Sequence, residues 1–306
     1  MTAGVVQTGT DELPVGSETH EVVAPPETRW WQLIWSSTKA RVGILLLLGF
    51  VLVAVFAPLI APYEGTRTDF GPLLPPSGEH LLGTTSQGGD IFSQLVYGTR
   101  VSLLVGLFGG LFATVIALII GMISGYKEGT LTDDVLSFFT NVALVVPVLP
   151  LMIVLVAYSE VRGVPLIVFV IGITSWAGHA RAKRAQIITL RNRDFVTAAK
   201  FAGEGTWRII FREIMPSMTS LVAAGFVGAA TGAIGAEAGL SFLGLGDPGS
   251  ISWGTMLYQA DAQGAVAQGL WLWVLVPGLT LALLITSLTF INFGVDLLSN
   301  PHLRED

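Results

Sequence analysis

Several chemistries are excluded by residues that the chain does not have. The 306-residue sequence contains no cysteine, which excludes disulfides, thiolate catalysis and cysteine-ligated zinc or iron–sulfur centres. Its four histidines, His20, His80, His179 and His302, are scattered along the chain, so they predict no haem or metal cluster. We therefore expect neither a metal nor a cofactor bound by this chain.

Charge is scarce as well. Only 12% of the residues are charged and the net charge is −6, whereas soluble domains carry about 25% charged residues and nucleic-acid binding needs a basic surface. No lysine is followed by serine or threonine, the pair that ends a phosphate-binding P-loop. We expect no nucleic-acid partner, and any ATP hydrolysis linked to this protein must occur on another chain.

Apolar residues are abundant and are arranged in long blocks. They make up 52% of the chain, and the mean hydropathy is +0.68. A helix that crosses the hydrocarbon needs roughly 20 apolar residues. The blocks predict an all-α polytopic membrane protein with six transmembrane helices, at 42–61, 101–125, 135–158, 164–180, 219–238 and 270–293. Pro147 and Pro150 should kink the third of them.

The positive charges predict the orientation of these spans. Short cytoplasmic loops are rich in lysine and arginine, and with the N-terminus inside, 13 of the 16 such residues are cytoplasmic. Both termini should then be cytoplasmic. We divide the chain into a disordered tail (1–28), an interfacial segment with the first span (29–61), an extracytoplasmic segment (62–100) and a five-helix core (101–301) that contains a cytoplasmic loop at 194–216.

The first half of this cytoplasmic loop has the pattern of a short helix. Asp194 could cap its N-terminus, because a carboxylate accepts hydrogen bonds from free backbone N–H groups. One face is predicted from the helical spacing of four residues, namely Phe195, Ala198, Ala199 and Ala202. The alanines make this face shallow, so another surface could approach closely. Gly203 suits the left-handed position that ends a helix.

A second short helix is predicted after Thr206. Its apolar face comprises Trp207, Ile210, Phe211 and Ile214, and Pro216 suits the start of the fifth span, where no N–H is needed. The two helices could transmit a push from a soluble partner into the membrane. The alternative is an ordinary basic helix pair that binds anionic lipid headgroups.

Four stretches of the sequence resemble a known family. Thr197-Ala198-Ala199, Gly203 and Ile214-Met215-Pro216 resemble the EAA loop of permease subunits of bacterial ABC importers, with Thr197 and Met215 in place of the usual Glu and Leu. Similarity to the C-type permease of the dipeptide/oligopeptide/nickel branch extends over 42–301. Its further motifs are Leu82-Gly83-Thr84 with Gly98-Thr99-Arg100-Val101-Ser102-Leu103, Glu237-Ala238-Gly239-Leu240-Ser241-Phe242-Leu243-Gly244-Leu245-Gly246 with Ser252-Trp253-Gly254, and Gly294-Val295-Asp296 with Asn300-Pro301.

The resemblance implies a type I ABC importer permease fold in the bacterial cell membrane. It implies a second homologous permease, two ATPase subunits that bind ATP and Mg, and an extracytoplasmic solute-binding protein as partners. Di- or oligopeptides are the default substrate, with oligosaccharides or nickel chelates as alternatives. By resemblance the ATPase-coupling loop comprises Asp194, Phe195, Thr197, Ala198, Ala199, Ala202, Gly203, Glu204, Arg208 and Pro216.

Small and polar residues in and after the fifth span suggest two further sites. Small residues at helical spacing let helices approach closely, and they recur here as Gly225, Gly228, Gly232, Gly235 and Gly239. This stripe could pack within the chain or against the second permease around the pore. Glu237 could form an outer turn or gate together with Ser241 and Trp253, because an ionisable residue in a membrane span is a candidate functional residue. Alternatively, Glu237 is a structural residue that forms a hydrogen bond with the turn that follows it.

Two other classes of protein remain as rivals. A secondary transporter or channel working alone should have charges inside its spans or inverted repeats, and a membrane enzyme needs a catalytic constellation. The sequence has neither a repeat nor such a constellation. His179 is interpreted as a headgroup-level histidine at the end of the fourth span rather than as a proton relay.

Overall fold

The computed structural model describes residues 37–299, with side chains through residue 295. The predicted tail at 1–28 lies outside these residues. Every regular element in the described part is helical, which confirms the all-α class. The α-helices are α1 (Thr38–Val55), α2 (Ala57–Ile60), α3 (Ile91–Tyr126), α4 (Leu131–Val145), α5 (Val148–Ala157), α6 (Val164–Thr174), α7 (Ala177–Leu190), α8 (Asp194–Phe201), α9 (Thr206–Arg208), α10 (Met215–Ser217), α11 (Thr219–Leu240), α12 (Trp253–Ala262) and α13 (Trp271–Ser299); π-helical turns lie at Ile209–Ile214 and Ser241–Leu245.

Four helical stretches are long and apolar enough to cross a membrane unbroken. They are Thr38–Val55, Ile91–Tyr126, Thr219–Leu245 and Trp271–Val295. The predicted third and fourth spans are bent helix pairs, α4–α5 with an 85° bend and α6–α7 with a 42° bend. If each pair crosses once, the six predicted spans are all present within residues 37–299.

The 85° bend between α4 and α5 has its cause at Pro147, as predicted. Val146 before it is extended (φ −69°, ψ 126°), because a residue that precedes proline is disfavoured in the helical region. Pro147 caps α5 and cannot donate a backbone hydrogen bond to α4. Pro150 lies in the first turn of α5, where the missing N–H costs nothing.

Two span boundaries differ from the prediction. Helix α3 begins at Ile91 rather than at residue 101, because the Asp90 carboxylate caps it and accepts a 2.8 Å hydrogen bond from the Ser93 N–H. Part of the predicted extracytoplasmic segment is therefore helical. The fourth span does not end at residue 180, since α7 continues to Leu190 and carries Arg181, Lys183 and Arg184.

Helix α3 lies at the centre of the fold and packs along both α11 and α7. Its glycines permit this close approach. A Cβ on Gly110 would lie 2.7 Å from Ala230 Cα in α11, and a Cβ on Gly121 would lie 2.7 Å from the Ala180 carbonyl in α7. These contacts fix the position of α7, from which the cytoplasmic loop extends.

The segment after α11 forms a short packed helix rather than a free loop. Ser252 and Thr255 form a reciprocal capping box at the start of α12. Trp253 is fully buried, and its indole Nε1 donates a 3.0 Å hydrogen bond to the Leu95 carbonyl of α3. The outer end of the fold is therefore fastened to the central helix.

Candidate functional site

The first half of the 194–216 loop is a helix that ends as the sequence predicts. Gly203 has φ +78°, the left-handed conformation that glycine adopts without a steric penalty. Its N–H donates to the Lys200 carbonyl at 3.0 Å, and the Glu204 N–H donates to the Ala199 carbonyl at 3.1 Å. This pair of bonds is a Schellman motif, which turns the chain sharply after α8.

The predicted cap at the start of α8 is wrong. Arg193 occupies the N-cap position and no side chain caps the helix. The helix includes Asp194 as its first residue, so its carboxylate is not placed to accept from the next turn. Asp194 instead contributes a negative charge near the positive end of the helix dipole.

The predicted alanine face of α8 divides into two sides. Val196 is fully buried and Ala199 packs beside it, both against the apolar cluster beneath the loop. Phe195, Ala198 and Ala202 are exposed on the other side. Ala199 lies at the edge of the predicted face, half-buried between Val196 and the exposed side chains. Thr197 is also exposed, and its hydroxyl donates to the Arg193 carbonyl at 3.3 Å.

The second half of the loop departs further from a regular helix. After α9, residues Ile209–Ile214 form a π-helix, whose wider turn breaks the 3.6-residue spacing. Ile210 and Ile214 are buried, but Trp207 and Phe211 are exposed and stack on each other with ring centroids 5.9 Å apart. The four residues of the predicted apolar face therefore divide into a buried pair and an exposed pair, and Trp207, Ile210 and Phe211 line one apolar groove against α3.

Polar contacts stiffen the rest of the loop. The Arg208 guanidinium pairs with the Glu204 carboxylate at 3.1 Å across the turn after α8. Pro216 lies in α10, directly before the fifth span, and its carbonyl accepts a 2.7 Å hydrogen bond from the Thr219 hydroxyl. The loop is thus a folded arm between α7 and α11.

Two ion pairs that the sequence analysis missed hold α7, which leads into the arm, against α4 and the segment between α3 and α4. Arg184 of α7 donates two hydrogen bonds of 2.8 Å to the Asp133 carboxylate of α4. Arg191, at the end of α7, pairs with Glu128 at 2.9 Å and donates to the Tyr126 carbonyl at 3.0 Å. The positive charge of 181–193 was interpreted only as an orientation signal, whereas the acidic residues near 128–134 could have indicated its partners.

Three of the five glycines in the α11 stripe do not pack within the described chain. Gly232, Gly235 and Gly239 have no atom within 4 Å of an added Cβ. Gly225 and Gly228 approach only the side chains of Lys183 and His179. The contacts of α11 with α3 run instead through alanines such as Ala230 on the opposite face. This leaves an open face along the fifth span.

The predicted outer turn is a buried structure. Glu237 is 1% exposed, and the Ser241 hydroxyl donates a 2.7 Å hydrogen bond to its Oε1. Gly254, beside Trp253, approaches the Ala238 backbone so closely that an added Cβ would lie 2.7 Å from its carbonyl. This geometry agrees with the structural alternative for Glu237, and none of the three predicted outer residues faces an open surface.

No metal centre is found among residues 37–299, since no three histidine or acidic side chains there are placed to hold an ion.

The described part of the chain is a polytopic helical membrane protein with a folded arm between its fourth and fifth spans. Residues 117–304 match the family of binding-protein-dependent transport system inner membrane components. The chain belongs to this family, and it is a membrane transport component rather than an enzyme.

Individual relatives extend the similarity over nearly the whole chain. The N-terminal transmembrane domain of oligopeptide transport permease C matches residues 29–76. The dipeptide transport system permease protein DppC of Bacillus subtilis is 30% identical over 90% of this chain and 85% of its own length. The di/tripeptide permease protein DppC of Pseudomonas aeruginosa is 33% identical over 92% and 94%. The oligopeptide permease protein OppC of Haemophilus influenzae is 34% identical over 84% and 83%.

Proposed function

We propose that this protein is the permease subunit of an ATP-driven, binding-protein-dependent importer of di- and oligopeptides. It forms half of the translocation pore in the bacterial cell membrane, with both termini cytoplasmic. A second homologous permease forms the other half. Two ATPase subunits bind Mg and ATP and hydrolyse the ATP, and an extracytoplasmic solute-binding protein delivers the substrate. Three relatives named as dipeptide or oligopeptide permeases support the choice of peptide.

One observation carries the coupling role of the arm. Its helix α8 presents a shallow exposed side, formed by Phe195, Ala198 and Ala202, while Val196 anchors the other side in the apolar cluster. Small side chains let a docking surface approach the helix backbone closely. A helix bound only to lipid headgroups would need no such rigid connection to the spans.

The arm can transmit force to several helices at once. The cluster beneath α8 includes Met122 of α3, Ile187 of α7 and Met218 beside α11. The Arg184–Asp133 pair extends the connection to α4. When the ATPases close, α8 moves, and the packed spans change between inward- and outward-facing arrangements. ATP and the loaded binding protein each bias this equilibrium.

The coupling role is tested with Ala198→Trp in the complete complex. The indole would occupy the shallow side of α8, so we expect the ATPase subunits to co-purify poorly and binding-protein stimulation of ATP hydrolysis to be lost. Ala267→Trp is the matched control, because Ala267 is also exposed but lies between α12 and α13, on the opposite side in our orientation. If Ala198→Trp retained full assembly and stimulation, α8 would not be the docking helix.

The substrate is tested by uptake into proteoliposomes that contain the complex and its binding protein. We expect ATP-dependent uptake of a labelled di- or tripeptide. Uptake of an oligosaccharide or a nickel chelate instead of peptide would reassign the substrate but keep the permease. Uptake without any ATPase subunit would favour a transporter that works alone.

A further inference from the structure

Lys183 is a buried charged residue that takes no part in the proposed coupling. It lies on α7 and is 2% exposed. Its stem crosses Gly121 of α3, where an added Cβ would lie 2.9 Å from Lys183 Cβ. Its Nζ lies 2.9 Å from the position of a Cβ on Gly225 of α11. The ammonium group therefore points at the inner end of the glycine stripe.

Nothing among the described residues neutralises this ammonium group. The Asp133 carboxylate is already paired with Arg184, and the side chain that Arg181 contacts, Asn141 at 2.7 Å, is uncharged. Helices α3 and α7 contain no acidic residue. The one carboxylate of α11, Glu237, is twelve residues beyond Gly225, about 18 Å along the helix.

An ammonium group removed from water without a partner is unfavourable. Its retention at this position is explained if an anion from outside the chain reaches it. Gly232 and Gly235, further along the same face of α11, have no atom of the described chain within 4 Å of an added Cβ, so this face offers a route for an anion. His179, one turn before Lys183, lies beside the same route, with its Cε1 3.7 Å from the Cβ position of Gly228.

We propose that Lys183 supplies the charge of a cationic site on the transport path, with the His179 imidazole beside it, and that this site binds the C-terminal carboxylate of the passing peptide. This inference rests on the proposed function. A carboxylate loses hydration as it enters a narrow pore, and a positive charge in a region of low dielectric constant compensates for that loss. The site would favour substrates with a free carboxylate over uncharged ones, in addition to any selection by the binding protein.

The charge of the site is tested without any transported substrate. Because the chain has no cysteine, Gly228→Cys places a single thiol on the stripe. Its labelling by an anionic and by a cationic methanethiosulfonate is compared by the mass of this chain in the assembled complex. We expect the anionic reagent to be favoured roughly tenfold, and Lys183→Met to abolish the preference. Arg181→Met, which removes a charge two residues away, should retain it.

The carboxylate specificity is tested by transport. Uptake of a tripeptide is compared with uptake of its C-terminal amide, each at saturating loaded binding protein. Lys183→Met should lower uptake of the free acid by roughly tenfold and leave the amide little changed, while Lys183→Arg should retain the preference for the acid. Binding-protein stimulation of ATP hydrolysis shows that each variant is assembled.

Three results would overturn the inference. Equal labelling by both reagents in the parent Gly228→Cys chain would mean that no positive charge lies on this route. Equal loss of acid and amide uptake would make Lys183 a structural residue. Loss of the second permease on purification of Lys183→Met would assign the lysine to a carboxylate of that partner. If the unmodified complex imports no peptide although the labelling preference is present, the proposed substrate fails and the cationic site stands.

Discussion

The Arg184 guanidinium holds the Asp133 carboxylate through two hydrogen bonds of 2.8 Å each, fifty-one residues apart in the chain. Asp133 also accepts hydrogen bonds from the Ser137 hydroxyl at 2.9 Å and from the Gly129 N–H at 3.2 Å. Planar two-point pairing of this kind fixes orientation as well as distance. It connects the helix that leads into the cytoplasmic arm to the start of α4.

Asp133→Asn should therefore weaken both stability and coupling. The carboxylate is 4% exposed but the guanidinium is 32% exposed, so water can replace part of the pair, and we expect a loss of about 1–3 kcal/mol. Thermal unfolding of the purified complex measures this loss. Asp134→Asn, at an exposed neighbouring position, is the control, and an equal shift in both variants would remove any special role for the pair.

Gly203→Ala should disturb the arm through the backbone alone. Alanine at φ +78° costs about 1–2 kcal/mol, and no atom lies within 4 Å of the added Cβ, so a clash is not the cause. We expect reduced stimulation of ATP hydrolysis by the binding protein. Gly205→Ala also meets open space but has φ −71°, and it should behave as the unmodified protein. If both variants retained full stimulation, the sharp turn after α8 would not matter for coupling.

Replacing glycine with alanine should have opposite effects on stability in α3 and in α11. Gly110→Ala would place a Cβ 2.7 Å from the backbone of Ala230, and we expect a loss of about 1–3 kcal/mol from overpacking. Gly232→Ala meets nothing within the described chain and should stabilise α11 by up to about 1 kcal/mol.

Measurement on the complex separates packing within the chain from packing against a partner. If the stripe of α11 faces the second permease, Gly232→Ala should lower co-purification of that subunit while this chain unfolds at an unchanged or higher temperature. Unchanged assembly and uptake would contradict a role for the stripe at the pore.

The sequence predicted the features that depend on local chemistry. The apolar blocks located the spans, Pro147 predicted the bend in the third span, and Gly203 predicted the end of α8, because each follows from a single residue type or a short repeat. The Arg184–Asp133 pair was not predicted, since a separation of fifty-one residues leaves open which of the acidic residues near 128–134 is the partner. The π-helix at Ile209–Ile214 was not predicted either, because a helical pattern assumes a constant spacing of 3.6 residues per turn.

Glu237 lies in an environment that favours one of the two alternatives that the sequence left open. Its burial and the 2.7 Å hydrogen bond from Ser241 favour a structural role, so Glu237→Gln, which retains an accepting oxygen, should transport nearly normally. Ser241→Ala should cost about 1–2 kcal/mol, because it removes the donor and leaves a buried polar group unpaired. Uptake and thermal unfolding of both variants distinguish this role from a substrate contact, which would make Glu237→Gln defective in uptake while its stability remained unchanged.

The orientation of the chain can be tested with the same cysteine-free background. Thr197→Cys on α8 and Gln268→Cys before α13 are both exposed positions, so each thiol should react readily with a reagent that reaches it. With both termini cytoplasmic, an impermeant maleimide added to intact spheroplasts should label Gln268→Cys, and Thr197→Cys should be labelled only after the membrane is opened. The reverse pattern would invert the topology and would place α8 on the side of the binding protein, where no ATPase could dock.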